Sequence, residues 1–475
     1  MGKRILGVLL LIIPATLFAQ EKWGLRRAVD YAMQNNISVK QADVQARYTA
    51  LQLEQAKLNK IPTASFGTGF GLQFGRSIDP TTNLFTTTQL LYQNYQLQGG
   101  TTIYSFGRLK NSQLAADFNL QAAYADVEKT KNDVALNVAS YYLQVLASKE
   151  QVEIVKVQIE QSKTQYDNTK KKVDAGSLPE LNLVELESQL ATDSSNLITA
   201  KATYDQNLLV MRALLNIDMA APFEIETPPV ELIPLEPVAE LQPDYVYQLA
   251  IATQPQQKAN DLRIKGAEKS ILAAQAALKP SLSGFYSLGS AFNNQALSPI
   301  GSYSVNQPVG KVSIDGLEYQ VYPNEPYILS TYGKTKYLKQ IDQNFSQSVG
   351  LNITVPIFSN GNARIAVKNS KLNLENLKLT KDLANQTLQS NIYTAYSNAI
   401  ASMEKYNASG RSVESAQKAF DFATKRYELG LLSTLDLITN QNNLLRAKLQ
   451  QLANHYDYVF KMKVLEFYKG QGIKL

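Results

Sequence analysis

Cysteine is absent from this chain, and histidine occurs once, at His455. Without cysteine there is no disulfide, no thiolate nucleophile or metal ligand, and no N-terminal lipid anchor on a cysteine. A lone histidine in a helical stretch has no triad partners and reads as a packing or surface residue. Glycine-rich phosphate loops are missing too: GTGFG at 67–71 lies in an alternating strand and precedes no helix. Acidic pairs such as Glu185 and Glu187 sit two apart, on different sides of a helix. The residues thus predict no catalytic group, no cofactor site and no metal site. A net charge of +6 over 475 residues is bland and argues against nucleic acid as a partner.

Long apolar runs are scarce as well. One extends from Ile5 to Phe18, preceded by Lys3-Arg4 and followed by Ala19-Gln20. That pattern predicts a secretory signal peptide over residues 1–19, cut after Ala19. No other stretch approaches the ~20 apolar residues of a membrane helix. Export without a helical anchor leaves a periplasmic, secreted or outer-membrane destination.

What is present, above all, is a repeat. Gly176 in KKKVDAGSLPELNLVELESQL and Gly430 in TKRYELGLLSTLDLITNQNNL are 254 residues apart, and the same offset carries Gly107 onto Gly361. An offset of 218 carries Ala28, Ala32, Asn36, Lys40 and Pro62 onto Val246, Ala250, Gln254, Lys258 and Pro280. The chain is a duplication, and the second copy carries an insertion of 36 residues between Pro280 and Gly361. The first repeat is expected over 20–215 and the second over 245–468, with a tail at 469–475. Between them, over 216–244, six prolines from Pro222 to Pro243 predict an extended linker at mid-height.

Strict alternation marks strands at 63–75, 94–106, 281–290 and 345–358. Phe66, Phe70, Leu72 and Phe74 point one way, against Ser65, Gly67, Gly69, Gly71 and Gln73. Leu351, Ile353 and Val355 similarly oppose Gly350, Asn352 and Thr354. A soluble sheet backed by a core produces such a pattern, and so does a membrane barrel, apolar toward lipid and polar toward a wet lumen. Small uncharged polar faces, strands near the ~9–11 residues of a tilted crossing and aromatics near their ends favour the barrel. Four strands cannot close one, since about eight is the floor. Open edges in lipid leave backbone groups unsatisfied. Copies must therefore share the sheet: two give eight strands, three give twelve.

The remaining segments are helical. Proline and glycine are missing from 109–173, and from 363–429 except for Gly410, so long helices are expected over 108–174 and 363–429. Shorter helices are expected over 23–60, 181–215, 245–279 and 435–468, two of which stacked end to end match one long helix. Their faces are rich in Asn, Gln, Ser and Thr, more than a dry bundle requires. An external loop with some strand of its own is expected over 291–344.

With this repeat, these strands and the motif RYELGLLSTLDLITNQNNLL (426–445), the chain resembles the TolC-like family of outer-membrane efflux ducts. The junctions YSFGR at 104–108 and PIFSNG at 356–361 resemble the family's second mark. The resemblance covers nearly all of the mature chain. It implies an α + β membrane protein, a homotrimer whose twelve-stranded β-barrel is continuous with a twelve-helix α-barrel tunnel. It implies outer-membrane lipid around the barrel, and a periplasmic adaptor (membrane-fusion) protein and an inner-membrane pump of RND or ABC type as partners. Gly176 and Gly430 fall on the tip turns at the periplasmic mouth, and Pro62, Gly107, Pro280 and Gly361 on strand–helix junctions. Asp436 falls on the acidic position that narrows the entrance, and Tyr427 on the tyrosine that latches the inner helix pair. Leu432 stands where the latch arginine would be, Thr439 replaces a second aspartate, and Asn182 replaces the acid of the first copy. Asp436 also suits a helix start by its charge alone.

The function this implies is a passive exit duct for small molecules such as drugs, metals or metabolites. A type I protein-secretion duct is an alternative within transport, and a structural or adhesive coiled-coil surface protein an alternative outside it.

Overall fold

The computed structural model describes residues 22–78, 83–230 and 233–470. The expected signal peptide at 1–19 and the tail beyond 470 lie outside the described residues. In chain order the elements begin α1 (Leu25–Asn35), α2 (Ile37–Leu58), β1 (Thr63–Ile78), β2 (Phe85–Tyr104), α3 (Arg108–Asp174) and α4 (Glu180–Leu215). The second half begins with α5 (Pro243–Thr253), α6 (Pro255–Ala276) and β3 (Ser281–Asn293). It continues through β4 (Leu297–Val305), β5 (Gly310–Ile314), β6 (Leu317–Val321), β7 (Tyr327–Lys334) and α7 (Tyr337–Gln343). Last come β8 (Ser346–Thr354), α8 (Asn362–Glu428) and α9 (Thr434–Tyr468). Contacts divide the chain into a helical unit (residues up to 51, 117–266 and from 373) and a sheet unit (52–116 and 267–372).

Helices α3 and α8 have 67 residues each, about 19 turns apiece, and most of each lies in the helical unit. Their lengths match because the duplication preserved them. The larger core joins Leu25, Ala28 and Ala32 of α1 to Val138, Tyr142 and Leu146 of α3, Met211 and Leu215 of α4, and Tyr456 and Val459 of α9. The proline-rich segment supplies Phe223, Ile225, Val230 and Ile233 to the same core. It is held by backbone pairing: Trp23 N–H donates to Glu224 at 2.9 Å, and Glu226 N–H donates to Trp23 at 3.0 Å. The buried Tyr142 hydroxyl caps this pair by donating to the Glu226 carbonyl at 2.7 Å. A second cluster packs Leu241, Val246 and Ala250 against Ile392 and Ala399 of α8 and Met462 and Leu465 of α9.

Two expected helices are broken. The stretch 23–60 divides at Asn36, which is extended (φ −61°, ψ 137°). Its side-chain oxygen accepts from Ser38 N–H at 2.9 Å, capping α2, while its amide donates to the Leu214 carbonyl at 2.8 Å. Asparagine favours this cap over a helix interior. In the second repeat the break falls at Gln254, because Pro255 pushes the residue before it into an extended conformation. Helix α5 starts at Pro243 rather than 245, a proline at the first helical position lacking only an amide that would be orphaned anyway.

The sheet unit centres on a four-stranded antiparallel sheet in the order β1-β2-β3-β8. Strands β1 and β2 are longer than their alternating cores, with Arg76 pairing Thr87 and Ile78 pairing Phe85. Strand thus runs past the expected end at 75 and begins before the expected start at 94, carried by the Phe-Thr-Thr-Thr run with its high β-propensity. Strand β3 runs on to Asn293, three residues past the expected end. Strand β8 stops at Thr354, short of 358, because Pro356 has no amide for the ladder. Register aligns Phe66 with Leu97 and Leu288, and Tyr286 with Val349, so one face is mainly apolar, interrupted by polar residues such as Gln93, Ser290 and Gln347. That face is open in the single chain: Phe70 is 73% and Val349 87% exposed. On the opposite face aromatic rings lie over cross-strand glycines, Tyr92 over Gly71 and Phe285 over Gly350. The insertion forms two-stranded sheets β4–β7 and β5–β6 before α7 returns to β3.

Candidate functional site at the helix turns

Each long helix ends in the same turn. Gly176 and Gly430 take φ +72° and +73°. Gly176 N–H donates to Val173 at 2.8 Å and Ser177 N–H to Lys172 at 2.9 Å. Gly430 N–H donates to Tyr427 at 3.0 Å and Leu431 N–H to Arg426 at 2.8 Å. Both are Schellman closures, in which a left-handed residue lets the chain reverse and satisfies the last carbonyls.

The helices that follow start differently. Helix α4 opens after Pro179 with no side-chain cap, and the half-buried Asn182 lies in its first turn. Helix α9 opens on a reciprocal cap: Asp436 N–H donates to Ser433 Oγ at 3.1 Å, and Ser433 Oγ donates to the Asp436 carboxylate at 2.7 Å. Asp436 is exposed, so the cap leaves it facing solvent. Thr439 is also exposed, its hydroxyl donating to the Leu435 carbonyl at 2.8 Å. The carboxylate of Asp436 and the hydroxyl of Thr439 thus each have a local partner and are not bonded to one another.

Tyr427 joins the two hairpins. Its hydroxyl meets that of the buried Thr169 in α3 at 3.0 Å, and Thr434 Oγ1 donates to it at 3.4 Å. Asn182 is not among these partners. Leu432 packs with Tyr427 against Phe420, Ala423, Leu437 and Leu444, so a nonpolar contact stands where a charged one was the alternative.

A polar layer within the helices completes the arrangement. Asp193 of α4 is fully enclosed, accepting from Ser162 Oγ at 2.5 Å and from Gln189 Nε2 at 2.9 Å. Gln441 of α9, also fully buried, donates to Ser162 Oγ at 2.8 Å. Gln189 and Asn442 exchange hydrogen bonds of 3.1 Å. Burial pushes the Asp193 carboxyl above its ordinary value, against the lowering effect of the hydrogen bonds from Ser162 and Gln189. The sequence showed an excess of polar residues in these helices but did not single out this cluster. Its signal was the pairing of Ser162 with Gln158, and of Asp193 with Gln189, each four apart on one helix face.

The junction residues belong to the sheet unit. Pro62 and Pro280 directly precede β1 and β3. Gly107 and Gly361 directly precede α3 and α8, and each follows another left-handed residue, Phe106 (φ 48°) and Asn360 (φ 50°). Among the described residues no cluster of His, Cys, Asp or Glu suits a metal ion, and no helix is long and apolar enough to cross a membrane.

The family model for outer membrane efflux proteins matches residues 28–216 and 246–470, leaving out the proline-rich segment between the repeats. Nodulation protein T of Rhizobium leguminosarum bv. viciae is 22% identical over 441 residues, covering 91% of this chain and 80% of that protein. Outer membrane efflux protein BepC of Brucella suis biovar 1 (strain 1330) is 24% identical over 157 residues, or 31% of this chain. That match spans about a third, 34%, of BepC. Among solved structures, the CusC transmembrane channel superposes with a TM-score of 0.73 at 16% identity, covering 94% of this chain and 91% of CusC. At that identity the likeness shows the fold.

Proposed function

Because the chain belongs to the outer membrane efflux protein family, we propose that it is the outer-membrane exit duct of a tripartite efflux or export system. An outer-membrane channel protein of this kind is not an enzyme. It conducts small molecules passively from the periplasm and a pump to the exterior. Energy comes from an inner-membrane pump of RND or ABC type, coupled through a periplasmic adaptor.

The observation that carries this reading is the open sheet. Strands β1 and β8 are edges without a further partner among the described residues, and the face they share is mainly apolar and exposed. In lipid such edges must be paired. Three copies supply twelve strands, enough for a barrel with a passage. Each copy also supplies two long helices and two stacked short pairs, twelve positions in a homotrimer.

The helix turns form the periplasmic entrance in this reading. Three copies of Asp436 around an axis make an acidic ring that favours cations and resists closure by mutual repulsion. Asn182 and Thr439 line the same mouth without charge. Tyr427 and Leu432 hold the inner hairpin against the outer one until a partner dilates it.

Planar-bilayer recording of the purified oligomer tests this directly. A small conductance that rises in Asp436→Ala is expected, with weaker cation preference. An unchanged current and selectivity remove Asp436 from the entrance, and a stable water-soluble monomer removes the duct.

A further inference from the structure

We propose that α7 and the lysines around it bind the phosphate groups of an anionic lipid headgroup at the outer rim of the sheet. The inference rests on the reading that the sheet's apolar face meets lipid.

Helix α7 lies on that face. The Tyr337 ring packs 4.8 Å from Phe292, and its hydroxyl donates to Gln93 Oε1 at 3.1 Å and meets the Tyr95 hydroxyl. Ser290 Oγ donates to the Ile341 carbonyl at 2.7 Å. By register, Gln93, Tyr95, Ser290 and Phe292 share the face of Phe66, Leu288 and Val349. The helix is pinned there. The buried Gln340 accepts from Asn293 N–H at 3.0 Å and donates to Thr335 at 2.9 Å, and Asn344 donates to Ala291 at 2.6 Å.

Its level on the sheet is defined too. Strand β8 has nine residues and starts at Ser346, just beyond α7. That is about one tilted membrane crossing of ~9–11 residues. Strand β3 leaves Pro280 and reaches α7 at its far end, so α7 marks the outer boundary of the crossing.

The exposed residues on and around α7 combine two chemistries. Leu338 is 78% and Phe345 56% exposed, beside the exposed Lys334, Lys336 and Lys339. Asp342 is the one acid from 334 to 345, and none of the three lysines has an ion pair among the described residues. Apolar side chains that enter acyl chains, next to unpaired ammonium groups at headgroup depth, are complementary to a phosphate-bearing lipid. A free phosphate gives no role to Leu338 and Phe345, so the lipid is the occupant.

The test uses the full-length protein in detergent, titrated with bisphosphorylated lipid A and with its dephosphorylated form, bound lipid being counted by native mass spectrometry. Lys334→Gln/Lys336→Gln/Lys339→Gln is expected to weaken lipid A binding roughly tenfold or more, to the level of the dephosphorylated lipid on the unaltered protein. Equal binding by variant and parent, or equal binding of the two lipids, overturns the proposal. Inorganic pyrophosphate bound as tightly as lipid A, with the same lysine dependence, overturns it in favour of a free-phosphate site. Because the chain has no cysteine, Val349→Cys carries a unique fluorophore that reports on the underlying reading. Quenching by deep doxyl-lipids in vesicles is expected. A quenched label with no lysine effect refutes only the headgroup site, whereas an unquenched label refutes the lipid-facing sheet itself.

Discussion

The Tyr427 hydroxyl, in the last turn of α8, lies 3.0 Å from the buried hydroxyl of Thr169 in α3, so the second repeat closes on the first through two neutral groups. No ion pair takes part. Tyr427→Phe keeps the ring in its apolar cluster and deletes one partner, leaving Thr169 enclosed without that bond. A buried hydroxyl left so costs about 1–3 kcal/mol. The variant is expected to melt at a lower temperature and to conduct more in bilayers. If conductance is unchanged while the melting temperature falls, the contact is structural and does not latch the entrance.

Asp193 makes stability depend on pH. Burial raises its carboxyl pKa in the folded protein, so the folded state holds that proton more tightly than the unfolded chain does. The resulting stabilisation is complete below the ordinary aspartate value of ~3.9 and disappears as pH climbs through the raised folded value. Asp193→Asn has no such proton. Across the acid range the parent is expected to lose stability relative to the variant as pH rises. Melting curves for both across a pH series decide it, and parallel curves would show that Asp193 does not titrate differently in the two states.

The duplication made much of this legible in the sequence. A glycine that ends a helix must recur wherever the turn recurs, so Gly176 and Gly430 identified both tips, and period-two alternation identified the sheet. Strand ends were less legible, because Phe85–Thr88 extends β2 through β-propensity and pairing rather than by alternation. The breaks at Asn36 and Gln254 were aligned by the repeat yet read as helix, since a single residue interrupts each pattern. The partner of Tyr427 was not legible at all. Thr169 is buried by neighbours hundreds of residues away, and nothing local marks it. The polar layer around Asp193 is a tertiary fact of the same kind, because Gln441 reaches Ser162 from a different repeat.

Glycines in this chain serve two separable purposes, and alanine distinguishes them. At Gly176 and Gly430 nothing lies within 4 Å of an added Cβ, so only the left-handed backbone opposes the substitution. Each alanine is expected to cost about 1–2 kcal/mol without any packing change. At Gly350 the backbone is permissive, but the Phe285 ring lies 2.7 Å from the new Cβ. Gly350→Ala is therefore expected to destabilise unless Phe285→Ala accompanies it, whereas no second substitution at a neighbouring side chain should rescue Gly176→Ala. Melting temperatures of the single and double variants check both statements.

The proline-rich segment is tied to α9 by a buried ion pair. Lys463 Nζ donates to Glu466 at 2.8 Å and to the Pro234 carbonyl at 2.6 Å, while Glu466 also accepts from Glu236 N–H at 2.9 Å. The side chains are 3% and 7% exposed. Removing one member strands the other charge away from water, at about 3–5 kcal/mol, whereas removing both often costs much less. Lys463→Met is thus expected to lower the unfolding free energy far more than Lys463→Met/Glu466→Leu. Part of the loss persists in the double variant, because Glu236 N–H and the Pro234 carbonyl lose their partners in both cases. Denaturant unfolding of the parent, the two single variants and the double variant yields the coupling energy. Additive losses would mean that solvent reaches Lys463 and Glu466, and that the apolar contacts of Val230 and Ile233 hold the segment in place instead.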